Sequence, residues 1–85
     1  MALTTPEWLA RHRGELRGEA DGKSSLVLLD QKPLYLLVPV PKGNQHGCMV
    51  TQTNNGRRLD GPGTYTTIED AIRGGLEDLR KALGW

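Results

Sequence analysis

The chain has no Phe, a single Cys, two His and no excess of charge of either sign. Each shortage excludes something. With Cys48 alone, a disulfide framework within one chain and a cysteine-based metal site are both out of reach, and a free thiol fits a reducing compartment. His12 and His46 lack ligand-type spacing to another His or Cys, so neither a metal nor another cofactor is expected. The longest apolar run, Leu34 to Val40, is far too short to span a bilayer and contains Pro39. The opening Met-Ala-Leu-Thr-Thr-Pro has neither the charged nor the apolar region of an export signal. A soluble, cytoplasmic protein with no membrane partner is therefore expected. Basic and acidic residues number 11 and 10, for a net charge of +1. A dedicated nucleic-acid binder usually carries a clear basic excess, so this balance leaves room only for a local patch.

Apolar residues are also scarce. They make up 36% of 85 residues, with Trp8, Tyr35, Tyr65 and Trp85 as the aromatics. Ordering a residue costs roughly 1.5 kcal/mol of conformational entropy, which at this size nearly cancels the gain from burial. One thin-cored domain covering residues 1–85 is expected, and a second copy is a natural way to enlarge such a core.

What is present is local punctuation. Thr5-Pro6-Glu7 opens a short N-terminal helix within 1–13, with Thr as the cap and Pro at the first helical position. On it Trp8, Leu9 and His12 can share a face before Gly14 ends the helix. Strands follow through 15–59, at Glu15–Arg17, Ser24–Leu29, Leu34–Val40 and Cys48–Thr53. Asp21-Gly22 and Asp30–Pro33 are read as turns, and Pro41–Gly47 as a polar loop. Asn55-Gly56 predicts a tight hairpin turn, because both central positions of such a turn need φ > 0, and Arg57–Leu59 becomes its second arm. Thr66-Thr67-Ile68-Glu69 reads as a capping box. Ile68, Ala71, Ile72, Leu76, Leu79 and Leu83 then recur on one helical stripe, and Gly84 suits the left-handed C-terminus of a helix over 66–83. The predicted class is α+β: an antiparallel meander of three to five strands, the C-terminal helix packed on one face, and the short N-terminal helix.

The strands are apolar on both faces, at Leu26–Leu29 and Leu34–Val38. One helix covers one face, so something else must cover the other: the N-terminal helix with Trp8, a second copy, or another protein. Leaving Leu29, Tyr35 and Leu37 wet would forgo about 1.5–3 kcal/mol for each large apolar side chain. Gly74-Gly75 inside the last helix costs about 1 kcal/mol per Gly relative to Ala. Such a pair points to close approach by the sheet beneath or by a neighbouring subunit's helix. Trp8, Leu29, Tyr35, Leu37, Gly74 and Gly75 are therefore the expected interaction surface.

Two other constellations compete. Cys48 and His46, two apart on a strand, could share a face with Asp60 or Asp30 completing a triad. A free Cys at the start of an apolar strand is more often a small buried hydrophobe, so no catalytic residue is expected. The adjacent acids Glu69-Asp70 and Glu77-Asp78 point apart on a helix and read as solvated surface. The polar hairpin gathers Gln52, Asn54, Asn55, Arg57 and Arg58, side chains that hydrogen-bond bases and phosphates, with Lys42 nearby in the preceding loop.

Two families share parts of this pattern. Asn55-Gly56, Tyr65, Ala71 and Gly74-Gly75 together resemble the small bacterial YegP-like domain, in which an Asn-Gly hairpin, a Tyr entering the helix, and an Ala then a Gly within it recur at similar spacing. That resemblance covers less than half the chain and departs at Ile68-Glu69-Asp70, where the family has basic residues. It implies a β-β-β-α domain that pairs in tandem or as a homodimer. Gly63-Thr64-Tyr65-Thr66-Thr67-Ile68-Glu69-Asp70-Ala71 is similar to the Gly-Thr-Phe-x-Thr-x-Glu-Glu-Ala helix entry of the plant ethylene-responsive-factor and phage-integrase type of DNA-binding domain. Those domains lay a three-stranded sheet in the major groove through Arg and Trp of the first strands. This chain has Leu34–Val38 there, so the DNA contacts do not carry over. The sequence expectation is a non-catalytic interaction or self-association module, a homodimer, with a hairpin-based nucleic-acid binder as the alternative.

Overall fold

Six elements follow one another in the computed structural model, which describes residues 5–19 and 23–85. They are α1 (Glu7–Ala10), β1 (Gly14–Gly18), β2 (Ser25–Leu29), β3 (Lys32–Lys42), β4 (Gln45–Gln52) and α2 (Ile68–Leu83). The strands form one antiparallel sheet in the order β1-β2-β3-β4, a meander. The turn expected at Asp21-Gly22 lies outside the described residues.

β3 is the long strand, and its prolines fix how its neighbours are placed. β2 pairs with Lys32–Leu37 and β4 with Tyr35–Lys42, so only Tyr35, Leu36 and Leu37 are flanked on both sides. Proline cannot donate to a ladder. Pro33 sits where the β2 register slips between Val27 and Leu28, and Pro39 and Pro41 lie beyond the reach of β2. None falls in the doubly paired stretch.

α2 begins one residue later than the capping-box reading places it. Thr67, not Thr66, is the N-cap, accepting from Asp70 N–H at 3.0 Å, while Glu69 turns outward to Arg73 at 2.8 Å. Gly84 closes the helix at φ 74°. The same one-residue shift occurs at α1, where Pro6 is the N-cap. The Thr5 hydroxyl accepts instead from Leu16 N–H at 3.1 Å.

Two turns also depart from expectation. Asn55-Gly56 does not make the two-residue turn: Gly56 alone is left-handed, at φ 73°, and its N–H reaches back to Gln52 C=O at 2.8 Å. Arg57–Leu59 forms no strand and makes an isolated bridge at Thr51↔Arg58. The tight turn with both central residues left-handed is Asp30-Gln31, at φ 53° and 66°. The expected loop Pro41–Gly47 is instead a hairpin tip at Gly43-Asn44, with β3 and β4 paired out to Lys42↔Gln45.

One buried cluster unites both layers. Leu9 of α1 and Ala71, Ile72, Leu76 and Leu79 of α2 pack with Leu16, Val27, Tyr35, Leu37, Cys48 and Val50 of the sheet. Both helices therefore lie on the same face. Trp85 clasps them together: its ring stacks on His12 at 3.9 Å and meets Trp8 edge-on at 6.3 Å, while Arg80 sits 5.7 Å from the centre of the Trp8 ring.

Candidate functional site: the uncovered face of the sheet

Side chains alternate across a strand, so the residues between the core positions point away from both helices. They are Leu26 and Leu28 on β2, Leu36, Val38 and Val40 on β3, and Met49 on β4, all outside the buried cluster. At the β1 edge the same face carries Glu15 and Arg17, paired with each other at 2.8 Å. Leu28 is buried, at 5% exposure, and the other five apolar side chains are partly exposed. No helix covers this surface among the described residues.

The expected interaction surface has the opposite phase. Leu37 is fully buried and Tyr35 nearly so, both beneath the helices, and Leu29 and Trp8 pack against the same core. With both strand faces apolar the pattern gave no phase, and a one-residue change of parity exchanges every side chain between faces. Gly74 and Gly75 are spacers within the chain rather than part of a subunit contact. A Cβ at Gly74 would overlap the Tyr65 ring, and one at Gly75 would overlap Cys48 Sγ and crowd Leu37.

The nucleic-acid candidates do not gather into one patch. Lys42 pairs with Gln45 at one end of β4, and Gln52 is at the other, about 23 Å away at 3.3 Å per residue. At that far end Asn54, Asn55, Arg57 and Arg58 are exposed. Asn55 Oδ1 is occupied in accepting from Arg57 N–H at 2.9 Å, and Arg58 donates to both Asp60 oxygens at 2.6 and 2.9 Å. Among the described residues Arg57 has no carboxylate paired with it.

Asp60 closes the outer edge of β4, accepting from Val50 N–H at 3.2 Å. The Arg58 hydrogen bonds hold its carboxyl down at about 2, well below the ordinary value, with the Val50 bond assisting. A depressed folded-state pKa contributes stability above the unfolded value near 3.9, lost as pH falls toward about 2. Asp60→Ala should therefore lower stability at pH 7 by about 1–2 kcal/mol and flatten the acid limb of the stability curve between pH 4 and 2. Denaturant melts across that window test both effects.

Cys48 is buried at the helix–sheet interface beneath Gly75. Burial first, then the charges of Asp60 and Asp78, push its thiol up to about 12. A nucleophile needs the thiolate, and this environment suppresses it. Alkylation of the native protein should be slow and should match the free-thiol rate only on unfolding. Fast native labelling would restore the case for a thiol enzyme. Among the described residues no three His, Cys, Asp or Glu side chains group as metal ligands, and no helix is long and apolar enough to cross a membrane.

The fold and this surface define a class: a small two-layer α+β domain with one sheet face bare. No family model, curated protein or solved structure matches the chain.

Proposed function

We propose that the chain is a non-catalytic protein-interaction module that self-associates, its contact surface the bare face of the sheet. One observation carries the reading: both helices lie on the same side, and among the described residues no layer covers Leu26, Leu36, Val38, Val40 and Met49. Burying an apolar side chain completely is worth about 1.5–3 kcal/mol, so part of that gain is still available to an association. On this face Glu15 and Arg17 pair with each other, and Lys42 extends over Gly47 at its rim. Two such sheets stacked about 10 Å apart would form a helix–sheet–sheet–helix sandwich.

Light scattering across a dilution series, repeated with mixed duplex and single-stranded nucleic acid, tests the proposal. A dimer that ignores the nucleic acid supports it. A monomer whose mass rises only with nucleic acid, steeply weakened by salt, would replace it with the hairpin reading and make Arg57 the residue to mutate.

A further inference from the structure

A sheet edge recruits another strand only where backbone donors and acceptors are left pointing outward. The sheet has three stretches of edge longer than three residues, and two are disarmed. On β4 the outward groups of His46, Val50 and Gln52 are met by Tyr65, Leu59, Asp60, Arg57 and Gly56, leaving only Cys48 among the four outward positions. Beyond the end of β2, the outward positions of β3 are Pro39 and Pro41, opposite Cys48 and His46, and proline has no N–H to offer. The third is β1. Arg13 C=O and Glu19 N–H bond toward β2 through Asp30 and Ser24, so Gly14, Leu16 and Gly18 point their backbone groups away from the sheet. Of these, Leu16 N–H is met by the Thr5 hydroxyl.

We infer that the β1 edge is a pairing site for β1 of a second copy, in antiparallel register centred on Leu16. The sequence Gly14-Glu15-Leu16-Arg17-Gly18 is self-complementary about that residue. Antiparallel pairing sets Leu16 against Leu16, Gly14 against Gly18, and Glu15 against the partner's Arg17, twice in each dimer. Glu15 and Arg17 then stand at the close, non-hydrogen-bonded positions, where opposite charges attract and like charges destabilise. Both side chains are more than half exposed and now pair only with each other, at 2.8 Å, so they can exchange partners without unfolding anything. Gly18 is a second sign. Among the described residues nothing lies within 4 Å of where its Cβ would be, so their packing does not call for glycine there. A strand glycine marks a bulge, a bend or a site of close approach by another backbone, and Gly18 leaves room for the last of these. The pairing displaces the Thr5 hydroxyl from Leu16 N–H. It also keeps both bare faces on one side, doubling the width of the surface proposed above while remaining independent of it.

Amide exchange of Gly14, Leu16 and Gly18, followed by NMR across a concentration series alongside solution mass, tests the inference. Wild-type protein should show all three amides slowing as the dimer forms. Arg17→Glu or Glu15→Arg should each weaken the dimer at least about tenfold by placing like charges opposite one another. The double variant Glu15→Arg/Arg17→Glu should regain it, with circular dichroism confirming that every variant is folded. Thr5→Val, which removes the competing acceptor in both copies, should tighten the dimer about 25-fold, the worth of two hydrogen bonds. The inference is overturned by a wild-type monomer at all concentrations, by a double variant as weak as the single ones, or by a dimer in which the Gly18 amide exchanges freely. If that last dimer is broken by Val38→Asp, the bare face is the contact and the edge is not. Charge reversals that break a dimer untouched by Val38→Asp make the edge the contact and leave the face bare.

Discussion

Leu37→Asp should yield no folded protein, whereas Val38→Asp, one residue further on, should fold normally and lose association through the bare face. Leu37 is fully buried between sheet and α2, against the backbone of Gly75. The substitution removes a large apolar side chain and buries a carboxylate without a partner, a loss of about 5 kcal/mol or more. A domain of this size has about 4–13 kcal/mol of stability in all. Val38 belongs to the other face, partly exposed, where a carboxylate stays hydrated and changes monomer stability by about 0.5 kcal/mol. Association through that face would have to desolvate the new charge, so the face-to-face contact should be lost. Circular dichroism and urea melts report the first effect and light scattering the second. A folded Leu37→Asp would mean that the strand phase is wrong, and a Val38→Asp dimer as tight as wild type would remove the bare face as the contact.

Gly75→Ala should destabilise the protein by about 1–3 kcal/mol, the range for overpacking a filled core, although Ala favours a helix over Gly by about 1 kcal/mol. The added methyl collides with Cys48 Sγ, which sits on a central part of β4 and cannot swing into solvent. Combining Gly75→Ala with Cys48→Ala removes the obstructing sulfur. The pair should therefore be non-additive by about 1–2 kcal/mol in a double-mutant cycle. Gly74→Ala overlaps the outer end of the half-buried Tyr65 side chain rather than a core strand residue, and should cost less than Gly75→Ala. Equal losses at the two glycines, or a stabilising Gly75→Ala, would contradict the close seating of α2 on β4.

The meander and the C-terminal helix were legible in the sequence because their signals are local: the stripe from Ala71 to Leu83, the Gly84 stop, and apolar runs broken by turn residues. Caps were legible to within one residue. Thr66 and Thr67 can each cap a helix, and Thr5 was diverted by Leu16 N–H, a partner eleven residues away. Phase was not legible. Leu36 and Leu37 are the same residue type, and only the packing of both helices on one side makes one of them core and the other surface. Nor was the dispersal of the hairpin cations legible, since Lys42 is near Arg57 in the chain but at the far end of β4 in space. Asn55-Gly56 lost the tight turn because the segment after it is tied to β4 through Asp60 and Leu59. Asp30-Gln31 instead takes up the left-handed geometry, in the shortest connection between two well-paired strands.

The stagger of the sheet has a mechanical consequence. Because only Tyr35, Leu36 and Leu37 are paired on both sides, the hairpin of β2 and β3 and the hairpin of β3 and β4 share little more than a joint. α2 braces the second hairpin, while α1 and β1 accompany the first, and the Trp85 clasp to His12 and Trp8 is the strap between them. Amide exchange should therefore be faster in the leaf of α1, β1 and β2 than in the leaf of β4 and α2, and equal protection of the two leaves would show that the shared core, not the stagger, sets local stability.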